Sequence, residues 1–148
     1  IWGGADQFHF VHQAASGDCE IVARVVSIEN TSTDAKAGVM IRASLDANSA
    51  HALMEIIPNN AAEFIYRSES APNSGYSPGG AATAPLWVRV VRSGDTFTAY
   101  RSADGATWIQ VGSRTIAMPA EVRIGLAVTS NTSSQLCTAV FDSVAVTP

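Results

Sequence analysis

The sequence predicts an all-β chain folded as an antiparallel β-sandwich, and two observations lead there. Short runs of Val, Ile, Thr, Phe and Tyr recur between clusters of Gly, Asp, Asn, Ser and Pro, the rhythm of strands and tight turns. The runs also alternate: Trp87 and Arg89 share one face of their strand, with Val88 and Val90 opposite. At 148 residues, 47% hydrophobic and 15% charged, the chain is long enough to bury a core and reads as one domain over 1–148.

Ten strands are expected. Residues 7–13 and 20–28 flank the turn-prone Ser16-Gly17-Asp18, and 37–43 follows a Thr-, Ser- and Asp-rich stretch. Residues 49–57 are the helix candidate, because Ala, Leu, Met and Glu favour helix. Pro58 and Asn59-Asn60 cut that run short, so 52–57 is read as a strand, followed by 63–67. Residues 68–85 are expected to form a long loop of small residues with one aromatic, Tyr76, either a mobile surface loop or one whose Tyr76 closes over a ligand. The clearest hairpin joins 87–92 to 96–101 through Gly94-Asp95. A second turn, Asp104-Gly105, leads into 108–111, and 123–129 and 138–146 complete the set.

Composition excludes several function classes. The net charge is −4 and the basic residues are scattered singly, so no stripe exists to release counterions from nucleic acid. No apolar run approaches the roughly 20 residues that span a bilayer, and nothing at the start resembles a signal peptide. The expectation is a chain whose signal was removed, or a segment of a longer protein. Cys19 and Cys137 are too far apart for a CxxC redox or zinc pattern. They are a disulfide or two buried thiols. The bond is the expectation, because each cysteine begins an apolar run whose strand end can meet the other's, and it implies an oxidising compartment.

Catalytic constellations are missing from the pattern. His9 and His12 are an odd number of positions apart on one strand and point to opposite faces, while His51 reads as a surface residue beside a turn. Glu55 and Glu63 fall on neighbouring strands, but neither has a second acid two or four positions away, as a glycosidase pair on a strand would. The chain is therefore read as non-catalytic. Asp6, Asp18 and Asp142 lie near turns and ends, where carboxylates serve calcium. One structural Ca²⁺ is expected near the joined ends of the chain, with Asp6 and Asp142 the foremost ligands.

The basic residues carry the binding reading. Lys36, Gly38, Met40 and Arg42 share one strand face, with Ala37, Val39, Ile41 and Ala43 on the other. If Glu55 and Arg67 join Arg42, Trp87 and Arg89 on one sheet, that face is a shallow groove suited to sugars. Guanidinium and carboxylate groups hydrogen-bond hydroxyls, and an indole face stacks on pyranose C–H groups. The expected ligand site is Arg42, Glu55, Arg67, Trp87 and Arg89, with Tyr76 from the loop.

Four stretches, GDCEIVARV, AKAGVMIRASLDANSAHALMEIIP, WVRVVRSGDTFTAYRSADGATW and FDSVAV, together resemble a bacterial family of concanavalin A-like jelly-roll modules. These are modules of unknown-function or "regulation of enolase"-like type in large secreted proteins, frequently beside carbohydrate-active modules. The resemblance implies a secreted or cell-surface module that binds polysaccharide or oligosaccharide and targets attached modules of the same chain. A structural spacer or protein-interaction module is the alternative. FDSVAV also resembles the last strand of calcium-containing carbohydrate-binding jelly rolls, which implies Asp142 as a ligand. SADGATW, residues 102–108, is similar to the Asp-box hairpin of sialidases but one residue short between Asp104 and Thr107; the motif is a structural turn there.

Overall fold

In the computed structural model, which describes residues 1–69 and 71–148, the described chain forms eleven strands in two antiparallel sheets. Ser70, inside the predicted loop, lies outside the described residues. The strands are β1 (His9–Ser16), β2 (Cys19–Ile28), β3 (Lys36–Arg42), β4 (His51–Ile57), β5 (Ala61–Arg67), β6 (Gly75–Ala81), β7 (Leu86–Ser93), β8 (Thr96–Ser102), β9 (Ile109–Thr115), β10 (Glu121–Thr129) and β11 (Ala139–Thr147). A six-stranded sheet has the order β1-β10-β3-β4-β5-β6, and a five-stranded sheet the order β11-β2-β7-β8-β9. The chain thus changes sheet after β1, β2, β6, β9 and β10. The result is the predicted jelly-roll sandwich.

The inward faces make one core. Ile21, Ala23 and Val25 of β2 meet Val39 and Ile41 of β3, with Met54, Phe64, Val88, Val90, Phe97 and Ile124 filling the layer. Burying each large side chain contributes roughly 1.5–3 kcal/mol. β2 and β7 alternate in burial, as strands with one wet face do, but every residue of β3 and β4 is buried. A second apolar cluster explains this. Met40, Leu53, Ile65 and Ala127 lie on the outer face of the six-stranded sheet, packed against Ile1, Phe8 and Phe10. The segment ahead of β1 therefore crosses that outer face and closes it. Strands covered on both sides read as continuous apolar runs, which is why 49–57 showed neither period.

Three expectations are corrected here. The stretch 68–85 is not all loop, because β6 runs through it along the edge of the six-stranded sheet. Pro78 hid it: proline cannot donate to a ladder, yet an edge strand tolerates it, and β6 pairs only with β5. His51 is not a surface residue; it is 0% exposed on β4. Cys19 and Cys137 are free thiols, not a disulfide. β11 runs antiparallel to β2, with Ala139 opposite Ile28 and Thr147 opposite Glu20. Cys137 thus sits beside Glu29 at the far end of β2 from Cys19, about 30 Å away at the rise of a strand. A disulfide needs Cα atoms within about 7 Å.

Candidate functional site

The six predicted ligand residues fall on two opposite faces of the sandwich. Arg42, Glu55 and Arg67 lie on the outer face of the six-stranded sheet, beneath the N-terminal segment, and are 1%, 0% and 1% exposed. Tyr76 joins that face through its pairing with Ile65 but stays at the edge, half exposed, in an edge-to-face contact with Trp2 at 5.9 Å. Trp87 and Arg89 lie on β7, on the outer face of the five-stranded sheet. Strand parity within each sheet is as predicted; the single shared face is not.

The closed face is organised by one carboxylate. Asp6 accepts two parallel bonds from Arg67, at 2.7 and 2.9 Å, and a third from Arg42 at 2.9 Å. Arg42 also donates to the carbonyls of Ser44 and Asp46, and Arg67 to that of Gly3, so both guanidinium groups are spent inside the fold. Burial alone would raise the Asp6 carboxyl, but the bonds from Arg67 and Arg42 and the nearby charges outweigh it and hold Asp6 below its ordinary range. His51 Nε2 lies 3.9 Å from Asp6, and neither ring nitrogen has a hydrogen-bond partner among the described residues. Burial, helped by the two arginines and opposed by Asp6, pushes His51 down to about 3, so the imidazole is neutral. Glu55 lies directly opposite Glu63 in the β4–β5 ladder. Burial raises Glu55 well above the ordinary carboxylate range, and neither of its carboxyl oxygens has a hydrogen-bond partner among the described residues.

The carboxylates expected to hold calcium have protein partners in the fold. Asp6 holds Arg42 and Arg67; Asp142 pairs with Arg24 on the other sheet; Asp18 accepts the Gly94 N–H of the β7–β8 turn at 2.7 Å. Asp6 lies at the outer face of the six-stranded sheet and Asp142 on the five-stranded sheet, and each is engaged by arginine. Among the described residues no three His, Cys, Asp or Glu side chains gather as for a metal.

The open face is built on the hairpin read from sequence. Its two-residue turn at Gly94-Asp95 sets Ser93 opposite Thr96, and hence Arg89 opposite Tyr100. The Arg89 guanidinium lies 5.4 Å from the Tyr100 ring centre and 5.6 Å from that of Trp108, a cation–π geometry on both sides. Its Nη2 donates to Glu20 at 2.6 Å. Arg24, one row along, pairs with Trp87 across the strands and with Asp142 through its side chain. Trp87, Arg89, Tyr100 and Trp108 are all partly exposed.

The Asp-box-like turn supports this face from one end. Asp104 accepts the N–H groups of Ala106 and Thr107 at 2.9 and 2.8 Å, bonds that with Ser102 hold its carboxyl at about 2. The turn lays Gly105, at φ +74°, against the Trp87 indole, where a Cβ would stand 2.7 Å from the ring. Only glycine fits this left-handed position and close approach. Sequence reasoning found Trp87 and Arg89 and missed Tyr100, Trp108 and Glu20. The hairpin register was the available signal for Tyr100; nothing local pointed to Trp108 or Glu20.

Known structures share this architecture. A functionally unknown protein from Saccharomyces cerevisiae superposes with a TM-score of 0.75 at 20% identity, covering 96% of this chain and 75% of that one. A carbohydrate binding module, CBM66 from Bacillus subtilis, gives 0.65 at 18% identity over 98% and 84%. A xylan beta-1,4-xylosidase from Bacillus halodurans gives 0.71 at 15% identity, covering 99% of this chain but 32% of that one. At these identities the likeness is one of fold. No curated protein matches the sequence. Residues 4–148 match a family described as "Protein of unknown function (DUF1349)", and the chain belongs to that family.

Proposed function

We propose that this chain is a non-catalytic carbohydrate-binding module, which takes polysaccharide or oligosaccharide on the outer face of the five-stranded sheet. The observation that carries the reading is Arg89, held by Glu20 at 2.6 Å and lying over the rings of both Tyr100 and Trp108. Aromatic rings bring a large apolar face at low entropic cost, and pyranose C–H groups pack against such faces. The adjacent arginine and carboxylate supply a donor and an acceptor for hydroxyls. The closed face, with its arginines already satisfied by Asp6, offers a glycan nothing comparable. Such a module targets an attached partner within a larger secreted bacterial chain.

The test is retardation in native gels containing plant, algal and microbial polysaccharides. At least one glycan is expected to slow the chain, and replacing Trp108 and Tyr100 together by Ala to abolish that shift without unfolding the protein. Retardation by none, or an unchanged shift in the double variant, removes the reading.

A spacer or protein-interaction role is favoured by a different observation. β1 and β11 are the edge strands on one side of the sandwich, and between them runs an uncharged groove of about 1190 Å³ lined by Val11, Leu126, Val128 and Phe141. Val11 is 61% exposed although its register directs it inward. Binding that survives loss of Trp108 and Tyr100 but not a charged residue at Val11 would support this role.

A further inference from the structure

The charges on the open face come in closed pairs, and this restricts the kind of glycan it takes. Arg89 is bonded to Glu20 and Arg24 to Asp142, each through its guanidinium nitrogens and a carboxylate. The four groups sum to zero. Both pairs are only partly buried, with side-chain exposures of 28% and 29% for Arg89 and Glu20, and 38% and 41% for Arg24 and Asp142, so each still presents polar atoms to solvent. Asp104, at the rim, spends its carboxylate on the N–H groups of its own turn.

We infer, resting on the carbohydrate-binding reading above, that the ligand is an uncharged, hydroxyl-rich polysaccharide and not a polyuronate or a sulfated glycan. An Arg–carboxylate pair offers a donor and an acceptor side by side. Neighbouring hydroxyls of a neutral sugar, each donor and acceptor at once, satisfy both partners without breaking the pair. A uronate has only acceptors at its carboxylate. It either accepts from a free guanidinium N–H beside the resident carboxylate or displaces that carboxylate from the arginine, and in both cases it sits next to Glu20 or Asp142, a like-charge contact that costs affinity. The flanking rings of Tyr100 and Trp108 carry no charge and favour C–H faces over anionic groups.

The experiment compares native gels containing neutral polysaccharides (unsubstituted xylan, mixed-linkage β-glucan, levan) with gels containing polygalacturonate or alginate. The folded chain is expected to be retarded by a neutral glycan and unmoved by either polyuronate. A Glu20→Gln, Asp142→Asn double variant, checked for an unchanged melting curve, is expected to lose at least threefold of its neutral-glycan affinity. Its freed arginines should give it a new, salt-sensitive retardation on polyuronate. Stronger retardation of the unmodified chain by polyuronate than by any neutral glycan overturns this inference and leaves the carbohydrate-binding reading standing. Retardation by neither class removes that reading and the inference together.

Discussion

The two outer faces of the sandwich use the same alphabet to opposite ends. Each sets arginines beside carboxylates and near aromatic rings: Arg42 and Arg67 with Asp6 and Phe8 on one sheet, Arg89 and Arg24 with Glu20, Asp142, Tyr100 and Trp108 on the other. On the six-stranded sheet a few residues ahead of β1 lie across the arginines, which become internal structure. On the five-stranded sheet the Asp104-Gly105 turn reaches only the Trp87 end, and the same chemistry remains partly in water. Composition and parity are alike on the two faces. Coverage separates them, and coverage is supplied by a segment that belongs to neither sheet.

The contrast can be broken most severely at Asp6. Asp6→Asn leaves two buried guanidinium groups without their shared charge, and removing one partner of a buried pair typically costs about 3–5 kcal/mol. Denaturant unfolding should show that loss, while glycan affinity of the still-folded variant stays unchanged because the open face is untouched. A stable Asp6→Asn protein would mean that the closed face is not held by its ion pairs.

Acid exposes the same face. His51, at about 3 when folded against its ordinary 6.5, takes up a proton on unfolding, so stability falls as pH drops below 6.5 toward 3. Asp6, held low, is a stabilising carboxylate lost at still lower pH. Glu55 works the other way, since its raised value gives stabilisation that is present in acid and lost as pH rises through that value. A His51→Asn variant should show a flatter fall of unfolding free energy below pH 6.5, measured by urea titrations at stepped pH. An unchanged slope would place the acid sensitivity elsewhere.

The open face should respond in binding, not in stability. Trp108→Ala is expected to weaken glycan binding by roughly tenfold, about 1–2 kcal/mol as for a partly exposed aromatic anchor, with little change in melting. The smallest effect is expected at Asp142→Asn, which breaks an exposed pair of the kind that contributes little to stability. Its melting temperature should match the parent protein's. Set beside Asp6→Asn, it is the same chemical change on the uncovered side.

Much of the fold was legible, and the reasons are local. Strands β2, β7 and β8 alternate cleanly because one side is wet, and the Gly94-Asp95 turn fixed both the hairpin and its register. β6 was not legible, because Gly75, Pro78, Gly79 and Gly80 carry no strand propensity and only its edge position permits them. The site was half legible. Parity paired Trp87 with Arg89 and Lys36 with Arg42, but which strands share a sheet depends on five changes of layer that no short-range pattern records. The cysteines failed for the same reason, since the direction of β11 against β2 decides which ends meet. The pairing of Asp6 with an arginine 61 residues away was not legible either, because a carboxylate near a turn has the same local signature whatever it binds.

A gene trimmed by its strands would start at Gln7, two residues ahead of β1, and lose no strand of either sheet. It would lose Asp6, the Gly3 carbonyl that receives Arg67, and Ile1 over Met40 and Leu53. The counter-ion of two buried arginines thus lies outside every strand, and a boundary drawn from secondary structure falls on the wrong side of it.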